Sequence, residues 1–391
     1  MVKVFKDKYN ALWRKMDILC HGIAEDDEGI LSDLYMKQNP QDTQRTGNAG
    51  LQVKMNNGEL ALNVAVFKGF CKNSPYYFIN TVNGLALINN IDDSSTPVIC
   101  PAIAPLWYHE HVGEKIIAGD LVLLEGDYTA ITSITEGCLY FNKGKPCKFC
   151  AIGAELNDSY QKETRKTMLK KALAFAACDP QIQNIHLTGG NTFDEDRGAS
   201  GYLEFVQSIQ EVNPSIQIAV EIPPPQANVQ KDVFFNLKAA GIDSVIMNIE
   251  FWDDSIRETL MPIKGFIPKE EYISAFRKAL DYFGKNKVSS GLMVGIEPLA
   301  QTKEAADFLT KLGIIVELYP FKPNDHSQME CNPICPTDHI IEMSIYANSV
   351  MQRHEIHPEN CSGCVKCGAC GITQELIKIC NLEGELLCTQ K

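Results

Sequence analysis

The residues best suited to chemistry in this sequence are its cysteines. Cys138, Cys147 and Cys150 stand at spacing C-x8-C-x2-C in the segment ITEGCLYFNKGKPCKFCAIG. Three thiolates on one loop can hold three irons of a [4Fe–4S] cluster and leave the fourth iron open for another ligand. A closed zinc site needs a fourth protein donor, and none lies within this loop, so the zinc alternative requires a distant His or Cys. Of the fifteen cysteines, eight lie beyond residue 320 and three within 138–150, a clustering that points to metal or catalysis. Cys20, Cys71, Cys100 and Cys178 stand alone and are expected to pack as small buried hydrophobes.

Cys361, Cys364, Cys367 and Cys370 form a second set, C-x2-C-x2-C-x2-C. It resembles a ferredoxin-type cluster loop without the usual extra residue and proline at its end. An auxiliary [4Fe–4S] cluster is the preferred reading, with structural zinc or a redox thiol group as alternatives. Cys331 and Cys335 add ligands or pack, and Cys380 and Cys388 are incidental. Trp107-Tyr108-His109-Glu110-His111, with Glu114 nearby, has the donors for a metal but suits a surface loop better. His354 and His357 precede the second cysteine set and are candidates for contacts behind its ligands.

These loops need elements to hold them. From residue 129 strand and helix patterns alternate. The strands are TAITSIT (129–135), IQNIHLT (182–188), IQIAVEI (216–222), DSVIMNIE (243–250), KVSSGLMVGIE (287–297) and GIIVELYP (313–320). The helices are 163–177, 201–212, 229–240, 268–284 and 302–312, the last with Ala305, Phe308, Leu309 and Leu312 on its buried face and Thr302 as N-cap. Single helices between strands imply parallel pairing with right-handed crossovers. The expected fold is α/β: a partial (βα)6-type barrel over residues 129–320, with a doubly wound open sheet as competitor. An N-terminal α+β extension (1–128) precedes it, and a C-terminal Cys-rich iron–sulfur appendage (321–391) follows. In the extension, residues 116–134 read as a hairpin around Gly126-Asp127.

The loop after the first barrel strand resembles that of the radical S-adenosylmethionine (SAM) superfamily: strand, Gly137-Cys138, an intervening loop, then Cys147-x-aromatic-Cys150 with Phe149 as the aromatic. The likeness covers about 130–320. Members usually have three residues between the first two cysteines where this chain has eight, which leaves the subfamily open. The resemblance implies a SAM-binding [4Fe–4S] cluster on Cys138, Cys147 and Cys150, with SAM as co-substrate. His186-Leu187-Thr188-Gly189-Gly190-Asn191 matches the Gly-Gly-Glu-like turn that meets the SAM amino group, with Asn191 in place of the acid. Glu221, Asn248, Glu250 and Glu297 fall where strand ends face the SAM ribose or ammonium, and Arg257 with Lys264 could pair its carboxylate. The implied chemistry is cleavage of SAM to a 5′-deoxyadenosyl radical that takes hydrogen from substrate, with no particular catalytic side chain marked.

The single-helix crossovers and the NIE and GIEP strand ends are nearest the branch containing biotin synthase and the hydrogenase-maturation and methylornithine enzymes. That likeness implies a small-molecule or cofactor-precursor substrate and cofactor biosynthesis, and a flavodoxin- or ferredoxin-type reductant. A peptide substrate is the alternative, and a non-SAM electron-transfer protein or zinc-stabilised binding module are readings of other classes. A net charge of −13 argues against a nucleic-acid partner, and RKTMLKK (165–171) is expected to be a solvated helix face. No P-loop motif or apolar run of membrane-spanning length occurs, and the charged N-terminus lacks a signal-peptide pattern; a cytoplasmic protein is expected.

Overall fold

The computed structural model describes residues 2–38, 50–99, 104–135, 137–152 and 162–383. Cys100 and Cys388 lie outside these residues. At the N-terminus, α1 (Val2–Lys8), α2 (Asn10–His21) and α3 (Ile30–Gln38) accompany an antiparallel sheet. Its strands are β1 (Leu51–Met55), β2 (Leu60–Val64), β3 (Tyr76–Thr81), β4 (Gly84–Asn89) and β5 (Ser94–Ile99), in spatial order β2-β1-β5-β4-β3. The alternation of LQVKM buries Leu51, Val53 and Met55 on one face. Between β3 and β4 the turn is closed by Gly84 at φ +108°, a conformation open to glycine.

The larger sheet has seven strands: β6 (Leu123–Glu125), β7 (Thr129–Ser133), β8 (Asn184–Thr188), β9 (Gln217–Glu221), β10 (Ser244–Ile246), β11 (Val288–Val294) and β12 (Ile315–Pro320). From β7 to β12 the strands are parallel and lie in chain order, while β6 pairs antiparallel with β7. A doubly wound sheet must reverse its strand order at a switch point. Here each crossover advances the same way, so the right-handed connections put their helices on one face and the sheet curls into a half-barrel. The hairpin expected over 116–134 therefore carries the barrel's edge strand β6 across residue 128.

The connecting helices are α4 (Leu139–Asn142), α5 (Lys162–Cys178), α6 (Leu203–Gln210), α7 (Gln230–Ala239), α8 (Asp254–Leu260), α9 (Lys269–Phe283) and α10 (Leu299–Leu312). In α9, Tyr272, Ala275, Phe276, Ala279 and Phe283 form the buried stripe, with Glu270 and Glu271 in the first turn where the helix dipole favours them. Helix α10 starts at Leu299 behind Pro298, so Thr302 is no cap; it is buried inside the helix, its hydroxyl donating to Glu297 at 3.2 Å. Phe308, expected in the core, is partly exposed and lies 5.2 Å from the ring of Trp252. Beyond the barrel come α11 (Thr337–Arg353), α12 (Cys364–Cys367) and α13 (Thr373–Glu383).

The faces of the barrel strands differ in chemistry. Ile185, Leu187, Ile218, Val220 and Val245 are buried apolar residues, whereas the alternate positions hold Asn184, His186, Ala219, Ser244, Ser289 and Glu317. A closed eightfold barrel fills its interior with branched apolar side chains. This one is lined by small and polar groups, and the C-terminal loop enters it from the N-terminal ends of the strands. The Gly363 N–H donates to Asn184 Oδ1 at 2.9 Å, the Ser362 N–H to Ser244 Oγ at 3.2 Å, and Lys366 Nζ to Gln217 Oε1 at 2.8 Å. Those three acceptors open β8, β10 and β9.

Candidate metal and cofactor site

The first cysteine set stands at the C-terminal ends of the strands. Cys138 follows β7 and lies against the turn after β8: the Asn191 N–H donates to Cys138 Sγ at 3.4 Å, and the Leu139 N–H to the Asn191 carbonyl at 3.1 Å. Gly190 makes that approach possible, since a Cβ there would sit 2.0 Å from the Gly137 carbonyl oxygen. Its N–H donates to Thr135 Oγ1 at 2.6 Å, which fixes the end of one strand to the end of the next. Gly189 is tight as well, since a Cβ there would sit 3.1 Å from the Thr135 methyl.

Cys147 and Cys150 close a turn, with the Cys150 N–H donating to the Cys147 carbonyl at 3.0 Å. The Lys148 N–H donates to the Leu260 carbonyl at 2.7 Å, and Phe149 meets Phe251 edge-on at 5.8 Å. The loop is thus pinned to the segment after β10. Burial pushes the Cys147 thiol up, with Lys264 acting against it and Glu250, Cys150 and Cys138 adding to it. Three cysteines on one loop, one with its thiol raised by burial, are a donor set suited to a cationic cluster, which takes thiolates and relieves their repulsion. As the side chains stand, no three His, Cys, Asp or Glu groups among the described residues converge at metal-ligating spacing.

Lys264 and Glu250 sit beside Cys147. Their ion pair spans 2.6 Å with both side chains largely buried, and Glu250 Oε2 has no hydrogen-bond partner. Burial holds the Glu250 carboxyl above its usual range against the pull of Lys264. For Lys264, burial alone would lower the value, but Glu250 and the neighbouring Tyr272 and Cys147 carry it upward. Glu250 also adopts φ +61°, an uncommon conformation for a non-glycine residue, while its N–H and carbonyl bond Gly291 and Met293 of β11. One step deeper, Asn248 donates to Glu221 Oε1 at 2.7 Å and accepts the Gly291 N–H at 2.7 Å.

Two of the expected SAM contacts bond elsewhere in the fold, though Arg257 Nε is left without a partner among the described residues. Arg257 donates to Asp254 at 3.0 Å and to the Ile267 carbonyl at 2.8 Å, with its guanidinium over the Tyr272 ring. Glu297 accepts the N–H groups of Trp252 and Asp253 at 2.8 and 3.2 Å. Both anchor the loop after β10. Asn191 has its side chain near the Tyr140 hydroxyl.

The second cysteine set lies at the opposite mouth, against His186. Nδ1 of that ring is 2.9 Å from Cys364 Sγ and 3.2 Å from the Cys364 amide nitrogen, while Nε2 is 3.5 Å from Glu221 Oε2. His186 belongs to the turn motif in the sequence, where nothing assigns it a role of its own; its signal is an inward position on β8, two residues after Asn184. His354 and His357, expected behind the cysteines, are exposed. Burial pushes the thiols of Cys364 and Cys367 up, with Glu125 the next contributor to each.

The other candidates fall outside both sites. His109, Glu110, His111 and Glu114 are exposed, with Trp107 and Tyr108 buried beneath them. Cys331 is exposed and Cys335 buried beside Cys20. Cys20 and Cys71 are buried as expected, but Cys178, the last residue of α5, is exposed. Cys380 packs against Asn348, whose Nδ2 is 3.3 Å from its sulfur. In α5, Lys166 and Lys170 pair with Glu204 on the solvated side, whereas Arg165, Met168 and Leu169 of the same stretch are buried, so the expected solvated face holds for only part of it. No helix among the described residues is long and apolar enough to cross a membrane.

Residues 132–309 match the model of the Radical SAM superfamily. No match was found among curated proteins. Among solved structures, methylornithine synthase (PylB) aligns with a TM-score of 0.44 and 14% identity over 59% of this chain and 64% of its own. HydG, a maturase of the [FeFe]-hydrogenase, gives 0.44 and 14% over 58% and 50%. The radical S-adenosylmethionine methyltransferase TsrM from Kitasatospora setae gives 0.36 and 13% over 52% and 38%. The alignments span less than two thirds of each of these structures.

Proposed function

We propose that this chain, a radical SAM enzyme whose superfamily domain spans residues 132–309, binds SAM at the C-terminal mouth of the half-barrel and acts on a small molecule held inside it. The observation that carries the reading is the juxtaposition of the Cys138–Cys150 loop with the Gly189-Gly190-Asn191 turn, joined through the Asn191 N–H at Cys138 Sγ. Cys138, Cys147 and Cys150 would hold a [4Fe–4S] cluster, which when bound supplies the electron that cleaves SAM to methionine and a 5′-deoxyadenosyl radical.

The rest is done by the chain. Gly190 keeps the second turn close enough to the cysteine loop for one ligand to touch both. Glu250, with one oxygen on Lys264 and the other without a partner, is placed to accept from an ammonium or hydroxyl. Asn248 orients Glu221, whose second oxygen lies 3.5 Å from His186 Nε2. Phe149 packs edge-on against the buried Phe251, which holds the cysteine loop on the segment after β10. A small or cofactor-precursor substrate fits this interior better than a peptide, because the Ser362–Lys366 loop occupies the far mouth. We extend the proposal to an auxiliary iron–sulfur cluster on the C-terminal cysteines, a flavodoxin- or ferredoxin-type electron donor, and a cytoplasmic role in cofactor biosynthesis.

The test is anaerobic reconstitution with iron and sulfide, followed by SAM and dithionite. Formation of 5′-deoxyadenosine, a change in the reduced-cluster EPR signal on adding SAM, and loss of both in Cys147→Ala are the expected results. Bound iron whose EPR signal is indifferent to SAM would instead make the chain an electron carrier.

A further inference from the structure

The loop that carries Cys138, Cys147 and Cys150 is also a place where the surface changes sign. The whole chain has a net charge of −13, yet residues 138–152, CLYFNKGKPCKFCAI, hold three lysines and no carboxylate. Lys143 and Lys145 are exposed and Lys148 is half-buried. Among the described residues no carboxylate forms an ion pair with any of the three. In α5, by contrast, Lys166 and Lys170 both close on Glu204.

The lengthened spacing between the first two cysteines builds this arrangement. Helix α4 is a single turn, closed by the Gly144 N–H on the Phe141 carbonyl at 2.8 Å and the Lys145 N–H on the Tyr140 carbonyl at 3.0 Å. Gly144 takes φ +67°, the left-handed conformation that ends a helical turn, and a Cβ there would meet open space. Tyr140 is buried beneath the turn, so the loop is anchored from below with Lys143 and Lys145 on either side of its tip. Phe193, from the turn after β8, stands beside them. It is 50% exposed and 5.8 Å from the Tyr140 ring, with Lys143 Nζ 5.9 Å from the centre of its own ring. Asp194 and Glu195 bound the basic surface on that side, Glu195 accepting from Asn228 Nδ2 at 3.1 Å. An exposed aromatic beside a charged rim has the composition of a protein-binding patch.

A radical SAM reaction needs an external donor. For each SAM cleaved the donor gives up one electron, and the sulfonium–carbon bond that receives it breaks to methionine and the 5′-deoxyadenosyl radical. That electron enters near the thiols of this loop. Lys148 adjoins Cys147 and Lys145 stands two residues before it, a reach of about 7 Å along the chain. We propose that Lys143, Lys145 and Lys148, with Phe193 at their edge, dock an acidic electron-carrier protein over the Cys138–Cys150 loop. This role holds only if the loop carries a reducible cluster, as proposed above. The molecule as a whole repels an acidic partner while the loop attracts it, which turns the encounter toward the site that takes the electron.

The experiment uses the full chain, with flavodoxin as the acidic carrier. Titration calorimetry with oxidised flavodoxin reads binding without turnover. The unaltered chain should bind, with an affinity that falls on the order of tenfold between about 50 and about 300 mM salt. Lys143→Glu, Lys145→Glu and Lys148→Glu together should weaken binding about tenfold or more and flatten its salt dependence. Lys143→Gln with Lys145→Gln, both at exposed positions, should give a smaller loss in the same direction and guards against misfolding of the triple variant. In the reconstituted enzyme, 5′-deoxyadenosine formation driven by limiting reduced flavodoxin should fall with the binding, while formation with excess dithionite stays unchanged. Flavodoxin binding that is absent from the unaltered chain, or unchanged in both variants, overturns the proposal. So does an oligonucleotide that binds through these lysines where flavodoxin does not. If excess dithionite yields no 5′-deoxyadenosine from the unaltered chain, the SAM reading itself fails and the docking role falls with it.

Discussion

Glu250 and Glu297 look alike in sequence, each a glutamate just past a barrel strand, and the fold gives them opposite situations. Glu250 keeps a free oxygen beside the cysteine loop, whereas Glu297 is 4% exposed and accepts two backbone N–H groups and the Thr302 hydroxyl. Burial holds the Glu297 carboxyl above its usual range despite those three hydrogen bonds. The folded chain therefore binds this proton more readily than the unfolded chain does. Its contribution to stability is present below the unfolded value, near 4.3, and is lost as pH rises through the raised folded value. Glu297→Gln should remove that decline, leaving a smaller loss of stability between about pH 4 and pH 7 than in the unaltered protein. Urea unfolding across that range measures it, and parallel profiles for the two proteins would refute it. The two cysteine sets proposed as metal donors were legible because thiols at such spacings have few other uses, and those among the described residues are free. The contacts of Glu297 and His186 were not, because each depends on where a partner distant in sequence ends up.

At the scale of elements, the six parallel strands and five of their helices follow from apolar periodicity, and the boundaries shift where side chains override it. The run DSVIMNIE yields a strand of only three residues, Ser244–Ile246, because the Asn248 side chain takes the Gly291 N–H of β11; pairing with β11 resumes as an isolated parallel bridge between Glu250 and Leu292. Helix α8 escapes periodicity: it is seven residues long and mostly polar, and its signal is Asp253, which caps the Ile256 N–H at 3.0 Å. The junction of β7 and β8 depends on one missing side chain. Gly190→Ala would force a methyl within 2.0 Å of the Gly137 carbonyl oxygen, and backbone on both sides has to move. Overpacking of this kind costs about 1–3 kcal/mol. On the proposal that both cysteine sets bind iron, the expected result is a folded protein with unchanged circular dichroism that retains the iron of its C-terminal site and loses that of the Cys138–Cys150 loop. Full iron content in this variant would mean that the two turns need not touch.

Across the whole molecule, the N-terminal extension acts as a brace for the C-terminal cysteine loop. Asn63 of β2 donates its side-chain amide to Glu125 of β6 at 3.0 Å and its N–H to the Ala369 carbonyl at 3.1 Å. Gln52 reaches the Leu124 carbonyl and receives the Gly126 N–H, tying β1 to the hairpin at the barrel's edge. Lys15 of α2 is 0% exposed and binds the Gly368 carbonyl at 2.9 Å and Glu375 of α13 at 2.7 Å, across 353 and 360 residues of sequence. Contacts of that separation leave no trace in local periodicity, which is why the extension had no readable role. Removing one partner of a buried ion pair costs about 3–5 kcal/mol, because the other charge is left without compensation. Lys15→Met should therefore loosen the docking of residues 361–383 while the barrel strands, held by their own ladder, stay closed. Hydrogen exchange read peptide by peptide should show faster exchange over 361–383 and little change in β8 to β11. Restoring neutrality with Lys15→Met and Glu375→Gln together should recover most of the protection, since the uncompensated carboxylate is then gone. Equal loosening of the barrel strands would show that the brace holds the whole sheet; no change anywhere would show that Lys15 carries none of the docking.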